Sequence, residues 1–123
     1  MPFLRNPSLL HWTQHARMKM QYYRLSPARV RRVLHSPRRT EEGVAPKTIA
    51  MMQPASLKSA AGRGGASNKE TWNQEIWVMV QDTAKTRTVI SAWRYPGVTK
   101  PRGEVATAFL QEEYKEFLSR GNR

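Results

Sequence analysis

The sequence predicts an α+β protein with two short N-terminal helices, a twisted antiparallel sheet of about four strands, and a C-terminal helix. Three observations lead there. Cap signals at Thr13 and at Ser26-Pro27 each precede a short stretch of helical periodicity. Two β-rich runs, Gln74 to Gln81 and Thr86 to Trp93, flank a tight polar connection. Residues Glu104 to Ser119 then regain the helical period. At 123 residues the chain has room for a single domain, residues 1–123.

From its cap at Thr13 the first helix runs to about Tyr23, with Trp12, Ala16, Met20 and Tyr23 along one side and Arg17, Gln21 and Arg24 along another. Ser26-Pro27 starts the second, because proline at the first helical position lacks only an N–H that would go unpaired there. Val30, Val33 and Leu34 form its apolar stripe, and Ser36-Pro37 ends it, since the residue before a proline is pushed out of the α region. Residues 39–43 and 47–52 are predicted as strands joined through Val44-Ala45-Pro46. The stretch Ser56 to Lys69 has neither period nor bulk, so a flexible loop insertion is predicted over residues 53–71.

In the run Gln74 to Gln81, Ile76, Val78 and Val80 alternate with Trp77 and Met79, as suits a central strand covered on both faces. Asp82-Thr83-Ala84-Lys85 makes a hairpin connection, and Pro96-Gly97 has the residue order of a type II turn. The last helix is predicted to bury Ala106, Phe109, Leu110, Tyr114, Phe117 and Leu118 and to turn Glu112, Glu113, Lys115 and Glu116 outward.

Charge narrows the function. Lys and Arg number 21 against 9 Asp and Glu, a net charge of +12, so a polyanion is the natural partner. Nine of the basic residues lie within residues 1–40, where no acid occurs. The absence of Cys excludes disulfides, thiolate zinc sites, iron–sulfur clusters and cysteine nucleophiles. No export-type or membrane-length apolar run is present, which predicts a soluble cytoplasmic protein with no membrane partner.

Arg17, Arg24, Arg29, Arg31, Arg32, Arg38 and Arg39 are the candidate nucleic-acid contacts, because the guanidinium fork matches phosphate oxygens. The plainer reading is a solvated helical face, and an acidic protein lying on it also accounts for the charge. His15 is the candidate general acid or base; the plainer reading has it bonding a neighbouring strand or capping its helix. Arg94 and Tyr95 stand at the end of the final strand. There Arg94 would stabilise a scissile phosphate while His15 or Tyr95 moves protons and the RNA 2′-hydroxyl attacks. Otherwise Tyr95 is a core or rim aromatic and Arg94 a surface cation. His11 and His15 are four apart, but no acid precedes Glu41, so neither metal nor cofactor is expected. Trp72 and Trp93 would stack bases if exposed, Trp77 reads as core, and Tyr22 is expected exposed near Arg24. Arg63 sits among glycines, as in RNA-contacting tracts and in plain linkers.

The segment His15-Ala16-Arg17-Met18, with Arg24-Leu25-Ser26, Val30, Val33-Leu34 and Ser36-Pro37, resembles a family of short bacterial domains. In that family a His-Ala-x-x-Met-type helix leads through an Arg and a Ser-capped second helix into an antiparallel sheet. Val89-Ile90-Ser91-Ala92-Trp93-Arg94 resembles the late strand of the BrnT toxins, with Trp93 intervening before the Arg. Both are similar to the RelE/ParE-like class of small basic toxins, many of which cleave RNA without a metal. The likeness covers roughly residues 9–37 and 74–120. It implies a RelE/BrnT-like fold, RNA as partner, an acidic antitoxin-like protein as a second partner, and metal-independent endoribonuclease activity. The residues themselves leave open a non-catalytic nucleic-acid-binding domain or an interaction module.

Overall fold

The computed structural model describes residues 9–42, 44–61 and 68–120. Strand β1 (Leu9–Trp12) leads into helices α1 (Gln14–Tyr23) and α2 (Pro27–His35). Strands β2 (Arg39–Glu42), β3 (Thr48–Pro54), β4 (Lys58–Ala61), β5 (Asn68–Thr71), β6 (Glu75–Asp82) and β7 (Thr86–Tyr95) follow, then helix α3 (Glu104–Ser119). The α+β class and all three helices agree with the sequence reading.

The sheet differs from it in two respects. It has five strands in the order β1-β7-β6-β3-β2, and β1 runs parallel to β7, so it is mixed rather than wholly antiparallel. Trp12 therefore belongs to an edge strand and not to the first helix. Within the span read as loop, β3 continues through Pro54, and residues 58–61 pair antiparallel with 68–71 as a separate two-stranded ladder. Its strands, Lys-Ser-Ala-Ala and Asn-Lys-Glu-Thr, carry no alternation of large apolar and polar residues, which is why no hydrophobic period announces them.

The alternation in β6 divides the core in two. Ile76, Val78 and Val80 join Met51, Val89 and Ala92 beneath α1 and α2, which contribute Ala16, Met20, Val30 and Val33, with Leu25 from the connection between them. Trp77 and Met79 join Ala50, Met52, Ile90 and Trp93 beneath α3, which contributes Leu110 and Phe117. Each fully buried aliphatic side chain of this kind contributes about 1.5–3 kcal/mol. The result is three layers, with helices on both faces of the sheet.

The two N-terminal caps form as the sequence predicts. Thr13 accepts from the Ala16 N–H, and Ser26 accepts from the Arg29 N–H, both at 3.0 Å. Thr13 also donates to the carbonyls of Val89 and Ile90 at 3.0 and 3.2 Å, fixing α1 to β7 where the β1 pairing ends. Tyr23, at the other end of α1, packs against both core clusters, so the helix straddles the edge of the sheet.

A bulge in β7 matters for the site. Val80 pairs with Val89 and Met79 with Ser91, leaving Ile90 as an extra residue. Ile90 enters the core under α3, and Ser91 reaches Glu113 on α3. After β7, Pro96-Gly97 is not the expected type II turn, because Gly97 lacks the required positive φ. Its N–H instead donates to the Tyr95 carbonyl at 2.9 Å, and a Cβ there would come within 2.9 Å of the Tyr95 ring.

Candidate functional site

Helix α2 packs its valines on the sheet, which turns its arginines toward solvent and toward the end of β3. Arg29 is half-buried; its guanidinium donates to Gln53 Oε1 at 2.6 Å and to the Pro54 carbonyl at 3.2 Å. Gln53 in turn donates to the carbonyls of Arg32 and Ser36. Arg94 lies nearby on β7, held by a 2.9 Å bond from its Nε to the Tyr23 carbonyl. Burial, then the charges of Arg32 and Arg94, push the Arg29 pKa down. The guanidinium stays protonated in any protein, so this pressure is a cost to the fold that a bound anion would relieve. Arg29, Arg32 and Arg38 line a cleft of about 380 Å³, closed by Gln53 and by residues 54–57.

The seven candidate arginines have different surroundings. Arg17 is exposed on α1, and Arg24 is exposed in the left-handed cap position of that helix. Arg31 lies over the Trp12 ring at 5.3 Å and Arg32 is exposed. Arg38 pairs with Glu70 at 2.6 Å and lies over Trp72. Arg39 is a structural cation, bonded to Glu41 and to both oxygens of Thr99 and seated over Trp77. Thr99 connects it to Glu75, a fully buried carboxylate that also accepts from the indoles of Trp72 and Trp77. Sequence spacing places Arg39 beside Arg38, yet the strand alternation sends it to the α3 face.

The three candidate catalytic residues are not brought together. Arg94 belongs to the α2 side, whereas the Tyr95 ring packs on Phe109 of α3 at 5.3 Å. His15 sits in the first turn of α1, about 12 Å along the helix from the Tyr23 carbonyl that holds Arg94. Its side chain is buried, and neither ring nitrogen has a hydrogen-bond partner among the described residues.

The surroundings of His15 could not be read from its neighbours in sequence. Glu113, expected to face outward, turns inward: it accepts from Ser91 Oγ at 2.6 Å and from Lys19 Nζ at 2.8 Å. Its Oε1 lies 3.6 Å from His15 Nε2. The register gave a signal, since position 113 follows Phe109 by four and Leu110 by three and precedes Phe117 by four. Burial lowers the His15 pKa, aided by Lys19 and Arg120 and opposed by Glu113. Burial also acts against the charged form of Lys19, but its bond to Glu113 and the charges of Glu113, Tyr23 and Glu116 outweigh this and raise its pKa.

His15, Glu113 and Glu116 each offer one ligand atom, all within 4.8 Å of one another, so the long-range packing supplies the carboxylates that the N-terminal sequence lacks. The Lys19 ammonium already serves as the cation there, 2.8 Å from Glu113 and 3.7 Å from Glu116. A divalent metal would have to displace it. His11 lies in a strand and is exposed, so the four-residue spacing to His15 does not make a helical ligand pair.

No family model, curated protein or solved structure matches the chain. Among the described residues, no helix is long and apolar enough to cross a membrane. Trp77 is core as expected, Trp93 is nearly as buried, Tyr22 is 78% exposed, and Arg63 lies outside the described residues.

Proposed function

We propose that the protein binds RNA, seating backbone phosphates in the arginine cleft between α2 and the end of β3. One observation carries this reading: Arg29, Arg32 and Arg94 crowd together, and none forms an ion pair among the described residues. Like charges at close range are costly, and a phosphate that accepts from several guanidinium forks removes the cost. The exposed Arg24 and Arg31 extend the basic surface along the helices, and the exposed Tyr22 offers a face on which an unpaired base stacks. The resemblance to RelE/BrnT-like toxins agrees with an RNA target. The proposal is for binding without cleavage, because His15, Arg94 and Tyr95 stand in three different surroundings.

Fluorescence anisotropy with labelled single-stranded RNA tests it. Affinity should fall steeply with salt, with a log–log slope of about −0.7 per neutralised phosphate. Replacing Arg24, Arg31 and Arg32 together by Gln should make that slope shallower by about 2. A salt-independent affinity, or a slope unchanged in the triple variant, would overturn the reading. RNA incubated with the protein and EDTA should remain intact on a gel; cut RNA would restore the nuclease reading. Capture of an acidic protein in place of RNA would favour the antitoxin-type partner.

A further inference from the structure

A second basic cavity lies away from the α2 cleft. Gln14, Arg17, Met18 and Gln21 fall at i, i+3, i+4 and i+7 of α1 and so share one exposed face. With Arg120 at the end of α3, they border a cavity of about 620 Å³. That lies within the range of roughly 300–1,000 Å³ typical of small-molecule sites. Among the described lining residues only His15 is buried, its side chain lying beneath the cavity wall.

The charge of the rim points to a ligand here. Arg17 and Arg120 have no carboxylate partner among the described residues, so two guanidiniums border one cavity uncompensated. Below them the His15 side chain is fully buried, with Nε2 3.6 Å from Glu113 Oε1 and Nδ1 without a hydrogen-bond partner among the described residues. The charges facing this ring are Glu113 and Glu116 of α3, Lys19 of its own helix, and Arg120. Burial, Lys19 and Arg120 together outweigh Glu113 and favour the neutral ring.

We propose that this cavity binds a phosphomonoester, as carried by a mononucleotide or by the 5′ end of an RNA chain, with Arg17 and Arg120 on the phosphate. A dianionic phosphate matches two planar forks. The amides of Gln14 and Gln21 offer donors and acceptors, and the Met18 thioether an apolar contact for a base or ribose face. The site shares no residue with the Arg29–Arg32–Arg38 cleft, so the two proposals stand or fall separately.

Isothermal titration of the full chain with adenosine 5′-monophosphate, and with adenosine in parallel, tests the idea. The monophosphate should bind, and adenosine about tenfold or more weakly. Arg17→Gln with Arg120→Gln should weaken monophosphate binding by about tenfold per side chain while leaving thermal melting unchanged, since both residues are exposed. Arg31→Gln with Arg32→Gln should leave it intact. Equal binding of the two ligands, an unaffected Arg17/Arg120 variant, or loss of binding in the Arg31/Arg32 variant would overturn the proposal. In the Arg31/Arg32 background, a preference for 5′-phosphorylated over 5′-hydroxyl RNA that depends on Arg17 and Arg120 assigns the site to an RNA end. Monophosphate binding without that preference assigns it to a free nucleotide.

Discussion

Replacing Glu75 by Ala removes the acceptor of four donors at once: the indole N–H groups of Trp72 and Trp77, and the N–H and hydroxyl of Thr99, at 2.8 to 3.0 Å. Trp72 is half-buried and can turn to water, and the Thr99 hydroxyl, whose oxygen still accepts from Arg39, is free to rotate its proton. The fully buried Trp77 indole and the Thr99 N–H have no such recourse. A hydrogen bond to a charged acceptor is worth about 1.5–3 kcal/mol, so two stranded donors set a loss of about 3–6 kcal/mol. That is a large fraction of a total stability of about 5–15 kcal/mol. Urea unfolding followed by tryptophan fluorescence should show the midpoint falling by about 2 M, taking a slope near 2 kcal/mol per M. Glu75→Gln should fall between the two, because one amide oxygen still accepts while the amide nitrogen confronts donors. A Glu75→Ala midpoint within about 0.5 M of wild type would refute the argument that this carboxylate holds the 96–103 connection to the sheet.

Two further outcomes follow from the same kind of reasoning. The unfolded chain protonates His15 near its ordinary pKa of 6.5, whereas the folded ring resists, so the folded state binds fewer protons below that pH. Stability should be level above pH 6.5 and decline as pH falls from there, by at most about 1.4 kcal/mol per pH unit from this group. Urea midpoints measured from pH 7.5 to 5 should show a shallower decline in His15→Gln; identical profiles would remove the effect. Thr13→Ala loses a helix cap and two bonds to β7, which should cost about 1–2 kcal/mol, whereas Thr13→Ser keeps the hydroxyl and most of the stability. Equal losses in thermal melts of the two variants would assign the effect to the missing methyl group instead.

The elements that the sequence announces are those whose signals are local. Thr13, Ser26-Pro27 and Ser36-Pro37 delimit α1 and α2 because capping and proline sterics act within a few residues. Strand β1 escapes notice because Leu-Leu-His-Trp is four residues long and its partner strand lies more than 70 residues away. The arginines were legible as a cluster, but not their fates. Of the groups that decide which of them are free, Glu41 is two residues along the strand from Arg39, but Gln53, Glu70 and Thr99 arrive from other strands and connections. Glu113 is the instructive case: a charged residue on an apolar helical stripe is read as outward by type and as inward by position. The structure sides with position, because Ser91 and Lys19 supply its bonding partners.

The attachment of α1 to β7 also dictates an order of assembly during synthesis. Thr13 finds its Val89 acceptor 76 residues later, so the first helix is complete long before its dock exists. At about 5–20 residues per second, the interval is about 4–15 s. For that time the most basic stretch of the chain is outside the ribosome without the sheet that will bury Ala16, Met20, Val30 and Val33. Nascent chains stalled before residue 86 should therefore expose this segment to protease, and those extended past residue 95 beyond the exit tunnel should protect it.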